Sequence, residues 1–387
     1  MTDVVVVGAG PVGTLLAAEL ARRGVEVRPL ERRLTPGMGT RAIGVHAPVL
    51  AALEESGITE RLLEKAHRVP RGQARSGDHV LGTVHFDRLS TRFPFVATLP
   101  QAETEAVLAG AAPAAERGAD VTAVRRGDSA VEVEITRRGG AADGAIEQLA
   151  APIVVLAGGW AARPLVYRAG RVPTTTYPDR YLMADIAVGD RPDADTAVVN
   201  LDPGGVLESF PLPGSMRRMV AWDAAAGPEP DDPAVRVARL QAALRARGEA
   251  SVADAVLTAT AFGVRRVLAP QLRRGRLFVI GDTAHEVSPI GGQGMNLGLL
   301  DAAGLAPLLA RWVHKRAAPE EELAAWERRR VRSAVRAGQL AAVNTVLGRP
   351  RHGVADLARR TLVRGMLMPP FGRGFAWAYA MGLDAGA

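Results

Sequence analysis

Four consecutive valines, Val4–Val7, run directly into Gly8-Ala9-Gly10-Pro11-Val12-Gly13. An uninterrupted β-branched run fits a strand covered on both faces, as in the middle of a parallel sheet. Apolar residues recur with helical spacing over 14–23 and stop at Gly24, and residues 25–30 then read as a second strand ending in Glu31. The segment is therefore a complete βαβ unit. Its glycines permit a tight turn, close approach of backbone to a pyrophosphate and close helix–strand packing, while the helix start offers N–H groups and partial positive charge to phosphates. Glu31 stands where an acid accepts hydrogen bonds from a ribose hydroxyl. The first expectation is an α/β chain with a Rossmann-like dinucleotide site at residues 8–13.

Further along, a helical pattern resumes over 41–63 with a stop near Gly57. Residues 70–97 look irregular with short strands, and 101–116 reads as a helix with Glu103 and Glu105 in its first turn. Residues 121–124 and 130–135 form a hairpin pattern, and 153–156 is a third buried strand. Residues 164–262 then switch to strand-like pieces broken by proline and glycine, which marks a mostly-β insertion. A second informative cluster follows. The buried run 277–280 delivers Gly281-Asp282 at its carboxyl end, where open α/β sheets place ligands. The loop containing Pro289, Gly292 and Gly294 then opens a helix at Met295-Asn296, whose free N–H groups suit developing negative charge. The spacing predicts a charged helix over 317–345 and Arg-rich helical pieces over 350–387.

Composition removes several function classes. With no cysteine, disulfides, thiolate metal sites and thiol catalysis are excluded. The net charge of +7 raises nucleic acid as a partner, but lysine occurs only at Lys65 and Lys315, and the arginines are scattered among acids. A solvated, arginine-biased surface with no nucleic-acid partner is expected. No stretch reaches the roughly 18 apolar residues of a membrane span, and the N-terminus lacks a basic n-region, so a cytoplasmic location is expected. No metal site is expected.

Taken together, the N-terminal glycine motif with Glu31, the Gly281-Asp282 motif with its Pro289 to Asn296 loop, and Trp326-Glu327-Arg328-Arg329 resemble the single-component FAD-dependent aromatic hydroxylases of the p-hydroxybenzoate hydroxylase type. The resemblance spans about residues 3–340. It implies a discontinuous FAD-binding domain (1–70, 98–163 and 264–345), a β-rich substrate domain (71–97 and 164–263) and a C-terminal helical cover (346–387). It also implies FAD contacts for Gly8, Gly10, Pro11, Val12, Gly13, Glu31, Arg32, Arg41, Gln101, Gly281, Asp282, Pro289, Gly292, Gly294, Met295 and Asn296. Pro289, Ile290, Ser209 and Phe210 are implied at the substrate pocket. One position departs from the family pattern: the Asp of its Asp-Gly motif after the third buried strand is Gly158 here. NADPH or NADH as electron donor, a separate reductase, or a role without nicotinamide all stay open.

The implied reaction is insertion of one oxygen atom from O2 into an aromatic or polyketide-like small molecule through a flavin C4a-hydroperoxide, in a chamber that excludes water. Epoxidation, oxidative rearrangement, a geranylgeranyl-reductase-like reaction and a non-catalytic FAD-binding module are the competing readings, and a monomer or homodimer fits equally. Strand alternation over 206–212 turns either Leu207, Ser209 and Pro211 or Glu208, Phe210 and Leu212 to the pocket. His46 and Glu208 are the candidate acid–base residues. His285 is expected to pack structurally. A cation at Arg217 or Arg218 would steady a phenolate, although their place beside a turn favours solvent exposure.

Overall fold

The computed structural model describes residues 2–37, 42–168, 170–223, 232–288 and 292–384. The valine run forms β1 (Val4–Val7), every residue of it buried. Helix α1 (Pro11–Arg22) begins with Pro11, whose fixed φ suits a first helical turn, and buries Leu15, Leu16 and Leu20. It stops where Gly24 turns to φ +74°, and β2 (Val27–Glu31) returns alongside β1 in parallel register, Val4 opposite Val27.

Residues 44–45 are a short strand rather than helix, followed by α2 (Ala47–Ala52) and α3 (Ile58–Lys65). The segment expected to be irregular with short strands holds a hairpin, β3 (Arg71–Ser76) and β4 (His79–His85), with a register shift between Ala74 and Arg75. Helix α4 (Gln101–Ala109) is shorter than expected because Gly110 and Pro113 end it, and Glu116 lies in a two-residue strand beside β2. Strands β5 (Ala119–Arg126), β6 (Val131–Arg137) and β7 (Ile146–Ala151) make an antiparallel sheet. Then β8 (Ile153–Leu156) pairs in parallel with β1 on the side away from β2.

The next stretch is β9 (Thr174–Ala187), β10 (Thr196–Asp202), β11 (Gly205–Leu212) and β12 (Met216–Trp222), then α5 (Pro233–Ala246) and β13 (Thr260–Leu268). With β3, β4 and residues 285–286 they form an eight-stranded sheet in the order 285–286, β13, β9, β12, β11, β10, β3, β4, parallel only between β10 and β3. Strand β14 (Leu277–Val279) rejoins the parallel sheet next to β8. The chain ends in α6 (Gly294–Lys315), α7 (Glu320–Gly348), α8 (Gly353–Leu367) and α9 (Phe371–Tyr379).

Two contacts fix what faces what. Helix α6 crosses α1 so closely that a Cβ on Gly298 would lie 2.5 Å from Val12, which brings the starts of both helices to one end of the parallel sheet. Helix α8 seats on β4 at Gly82, where a Cβ would lie 2.5 Å from Leu367, and Arg349 just before it clamps Asp179 of β9 at 2.8 and 3.0 Å. One face of the eight-stranded sheet packs on α5 through Leu182, Leu207 and Met219 against Leu240 and Leu244. The other looks toward α8 through Met183, Val206, Val220 and Phe262.

Candidate functional site

A cavity of about 780 Å³ lies between the carboxyl ends of β1, β2 and β8 and the inner face of the eight-stranded sheet. At one end, Gly8, Gly10, Pro11 and Val12 form its wall. Gly8 has φ +105°, and a Cβ there would lie 2.6 Å from the Ala157 carbonyl oxygen. A Cβ on Gly13 would lie 1.9 Å from the Gly8 carbonyl oxygen, so Gly13 is required by packing and stands behind the wall rather than in it. Gly10 differs. A Cβ there would meet no protein atom within 4 Å, because the position faces the cavity. Gly10 caps α1 without any side-chain hydrogen bond, so the first N–H groups of the helix are left to whatever fills the space.

Glu31 is buried at the end of β2 and lines the same region. Its Oε2 accepts from the Ala9 N–H at 2.8 Å, and its Oε1 accepts from the Arg33 N–H and Nε at 3.0 Å each. Burial alone would raise its pKa, but the Arg33 side chain and the two backbone donors outweigh it and hold the carboxyl below its ordinary value. A carboxylate has about four acceptor sites, so Oε2 keeps one for a ligand hydroxyl. Arg32 lines the cavity beside it, and Gln101, first residue of α4, accepts from the Ala42 N–H at 3.3 Å and donates to Glu105 at 2.8 Å.

The second glycine-rich start is held by a buried acid. Asp301 inside α6 accepts from His285 Nε2 at 2.6 Å, Arg330 Nε at 2.8 Å and the Gly281 N–H at 3.0 Å, and its carbonyl accepts from Trp326 Nε1 at 3.2 Å. This network fixes the Gly281 turn at φ +61° and places Asp282 at the cavity. His285 is thus a structural partner. Gly292, Gly294 and Met295 line the cavity at the start of α6, which has no side-chain cap. Asn296, expected at the wall, is fully buried behind it. Its Nδ2 donates to the Gly44 and Gly292 carbonyls at 2.8 and 3.1 Å, and its Oδ1 accepts from the His46 N–H at 2.9 Å. Gly281 likewise packs on Val12 rather than lining the cavity. Arg41, Pro289 and Ile290 lie outside the described residues.

The far end is walled by the sheet. On β11 the residues turned to the cavity are Val206, Glu208 and Phe210. Ser209 points the opposite way, its hydroxyl accepting from Arg217 Nε at 2.6 Å, so it does not line the pocket. Arg217 and Arg218 are 2% exposed, against the expectation of solvent exposure, because β12 runs through the middle of the sheet. Arg217 donates to the Thr196 and Ser209 carbonyls at 2.7 and 2.9 Å, and burial lowers its pKa to about 10. Arg218 lines the cavity with its fork on Asp185 at 2.7 Å twice. His46 also reaches the cavity, kept neutral by burial that lowers its pKa to about 4. Phe262, Val363, Leu367 and Tyr379 complete this end and were not picked out from sequence. Among the described residues no cluster of three or more His, Cys, Asp or Glu side chains could hold a metal ion, and no helix is long and apolar enough to cross a membrane.

The donor set fits FAD. Open helix N-termini at α1 and α6 suit a pyrophosphate and an electron-accepting ring edge, Glu31 suits a ribose, and the apolar far end leaves room for a second ring system. Comparison with known proteins points the same way. A family model described as FAD binding domain matches residues 1–341. The 6-methylpretetramide 4-monooxygenase of Streptomyces rimosus is 33% identical over 331 residues, 82% of this chain and 57% of that protein. The chain therefore spans less than two thirds of that relative's length. Among solved structures, p-nitrophenol 4-monooxygenase from Pseudomonas putida DLL-E4 superposes with a TM-score of 0.86 at 22% identity, covering 100% of this chain and 98% of that one. The anhydrotetracycline hydroxylase from Streptomyces rimosus gives a TM-score of 0.77 at 26% identity, covering 98% and 75%.

Proposed function

The chain belongs to the FAD binding domain family, and from that premise we propose that it is an FAD-dependent monooxygenase that inserts one atom of O2 into an aromatic or polyketide-like small molecule. The observation that carries this reading is the meeting of two uncapped glycine-rich helix starts at one cavity whose far end is apolar. Bound FAD would supply the redox chemistry, taking electrons from a donor and activating O2.

The residues of this chain bind, orient and shield. Gly10 and Val12 would offer backbone N–H groups to the pyrophosphate, with Gly8 and Pro11 shaping the wall beside them and Arg32 adding positive charge, and Glu31 would accept from the ribose. Gln101 and Asp282 would hold the middle of the cofactor, and the start of α6 at Gly292, Gly294 and Met295 would stabilise charge on the ring edge. Val206, Phe210, Val220, Phe262 and Leu367 would exclude water from the reacting face.

The electron donor is proposed to be NADPH or NADH, with one qualification of geometry. A Cβ at Gly158 would lie 2.8 Å from the Ala162 Cβ, so the family's Asp does not fit here unless the 160–165 turn shifts. Whatever donor serves must do so without that carboxylate. The test is to reconstitute the purified chain with FAD and follow bleaching of the flavin absorbance under anaerobic NADPH, NADH or a flavin reductase. The expected result is one FAD per chain, reduced by at least one of the three and faster with substrate present. A chain that retains no FAD, or whose flavin none of the three reduces, overturns the reading.

A further inference from the structure

Glu208 stands out at the far end of the cavity. It is 4% exposed and faces the cavity, yet its carboxyl has no hydrogen bond or ion pair among the described residues. In the sheet its direct cross-strand neighbours are Val199 of β10 and Val220 of β12, and its same-face neighbours along β11 are Val206 and Phe210. All four line the cavity. An ionisable side chain is thus set at the centre of an apolar wall, a placement that costs stability unless something in the cavity meets it.

The groups facing it do not neutralise it. Arg218 is its diagonal neighbour on β12, but the guanidinium fork is engaged by Asp185. From the helical side come Asn344 of α7 and the Tyr379 phenol of α9. Burial, and then the nearness of Glu208, push that phenol well above its ordinary value, so it stays protonated. Tyr181, stacked on Phe262 with ring centroids 5.6 Å apart, is raised in the same way. Burial pushes the Glu208 carboxyl itself from 4.5 up to about 8. At neutral pH the end wall therefore presents an uncharged carboxyl, which offers one O–H donor and an acceptor oxygen.

We propose that Glu208 is the specificity-determining residue of this chamber, anchoring a hydroxyl or carbonyl oxygen of an uncharged substrate ring and disfavouring the matching ring carboxylate. The inference rests on the monooxygenase reading for its assumption that a ring substrate enters here. A neutral carboxyl makes a hydrogen bond with either oxygen type at little desolvation cost. An anionic ring would bring an unpaired charge against an apolar wall, where the described residues beside Glu208 offer no uncommitted cation to receive it.

The test uses a matched pair of probes, 2-naphthol and 6-hydroxy-2-naphthoate, titrated calorimetrically at pH 7 into the FAD-reconstituted full chain and its Glu208→Gln and Glu208→Leu variants. Wild type is expected to bind the naphthol at least about tenfold more tightly than the naphthoate. Glu208→Leu should weaken naphthol binding about tenfold, the loss of one buried hydrogen bond, and Glu208→Gln should stay within about threefold of wild type. Equal or tighter binding of the naphthoate, an unaffected leucine variant, or binding of neither probe overturns the inference. Bound flavin is read separately by its absorbance. A chain that holds reducible FAD but prefers the naphthoate loses the anchor and keeps the proposed function. A chain without FAD that still prefers the naphthol loses the proposed function and keeps the preference.

Discussion

The Asp301→Ala variant is expected to lose about 3–5 kcal/mol of folding stability, because it strands the Arg330 guanidinium and the His285 ring in a region closed to water. The loss reaches the site as well. Without Asp301 the Gly281 N–H has no acceptor, and the turn that presents Asp282 is freed from α6. Chemical denaturation should show the lower stability, and FAD content should fall with it. The pH dependence has a defined sign. Burial tends to raise the Asp301 pKa, but the His285 and Arg330 charges outweigh it and hold the carboxyl below its ordinary 3.8. Its contribution is therefore complete above that ordinary value and is lost as pH falls through the depressed folded value. The stability gap between wild type and the variant should be full at pH 7 and close on strong acidification. A gap under about 1 kcal/mol at pH 7 would contradict the role given to Asp301.

The second large effect separates two glycines of one motif. Gly13→Ala puts a Cβ where the Gly8 carbonyl oxygen already lies, 1.9 Å away, so the turn between β1 and α1 must open and both FAD retention and stability should collapse. Gly10→Ala places its Cβ in open space at φ −77°, ψ −179°, a conformation alanine adopts freely. The flavin-free chain should melt close to wild type, while FAD affinity drops at least about tenfold, the equivalent of one lost backbone hydrogen bond to a phosphate. Equilibrium dialysis with FAD and thermal melts of the apoprotein read the two quantities apart. A Gly10→Ala chain with undiminished FAD affinity would remove the pyrophosphate from that end of the cavity.

The parts of the site that were legible in sequence are those where backbone conformation dictates residue type. Val4–Val7 is buried throughout because a central parallel strand has no exposed face, and Gly8 and Gly13 need to be glycine for reasons of distance. Asp282 was legible because a carboxyl-terminal strand end delivers it. The orientation of β11 was not. Both its faces are covered, one by α5 and one by the cavity, so Leu207 and Phe210 carry no contrast that period-2 reading could use. Arg217 and Arg218 misled because the turn at residues 213–215 is visible locally, whereas β9, which covers their other side, and its Asp185, which holds Arg218, lie some thirty residues away. The Asn296 side chain carried no signal of its own role, because its amide ties α6 to residues 44–46 and to Gly292, a partnership that only the fold reveals. Asp301 did leave a signal: an acid inside the apolar run of α6 must find buried partners, and the arginines of 328–330 were the available ones.

The cavity at the junction of the two sheets is read as the place where one oxygen atom passes from O2 to a ring. Single-turnover oxygenation with oxygen-18-labelled O2 tests that claim most directly: the FAD-loaded chain is reduced anaerobically, mixed with a polycyclic phenol that it binds, and exposed to the labelled gas. The expected product is heavier by one labelled oxygen atom, with label absent when labelled water replaces labelled O2. Full reoxidation of the flavin with peroxide released and the phenol unchanged, across a panel of ring substrates that bind in the chamber, would contradict it.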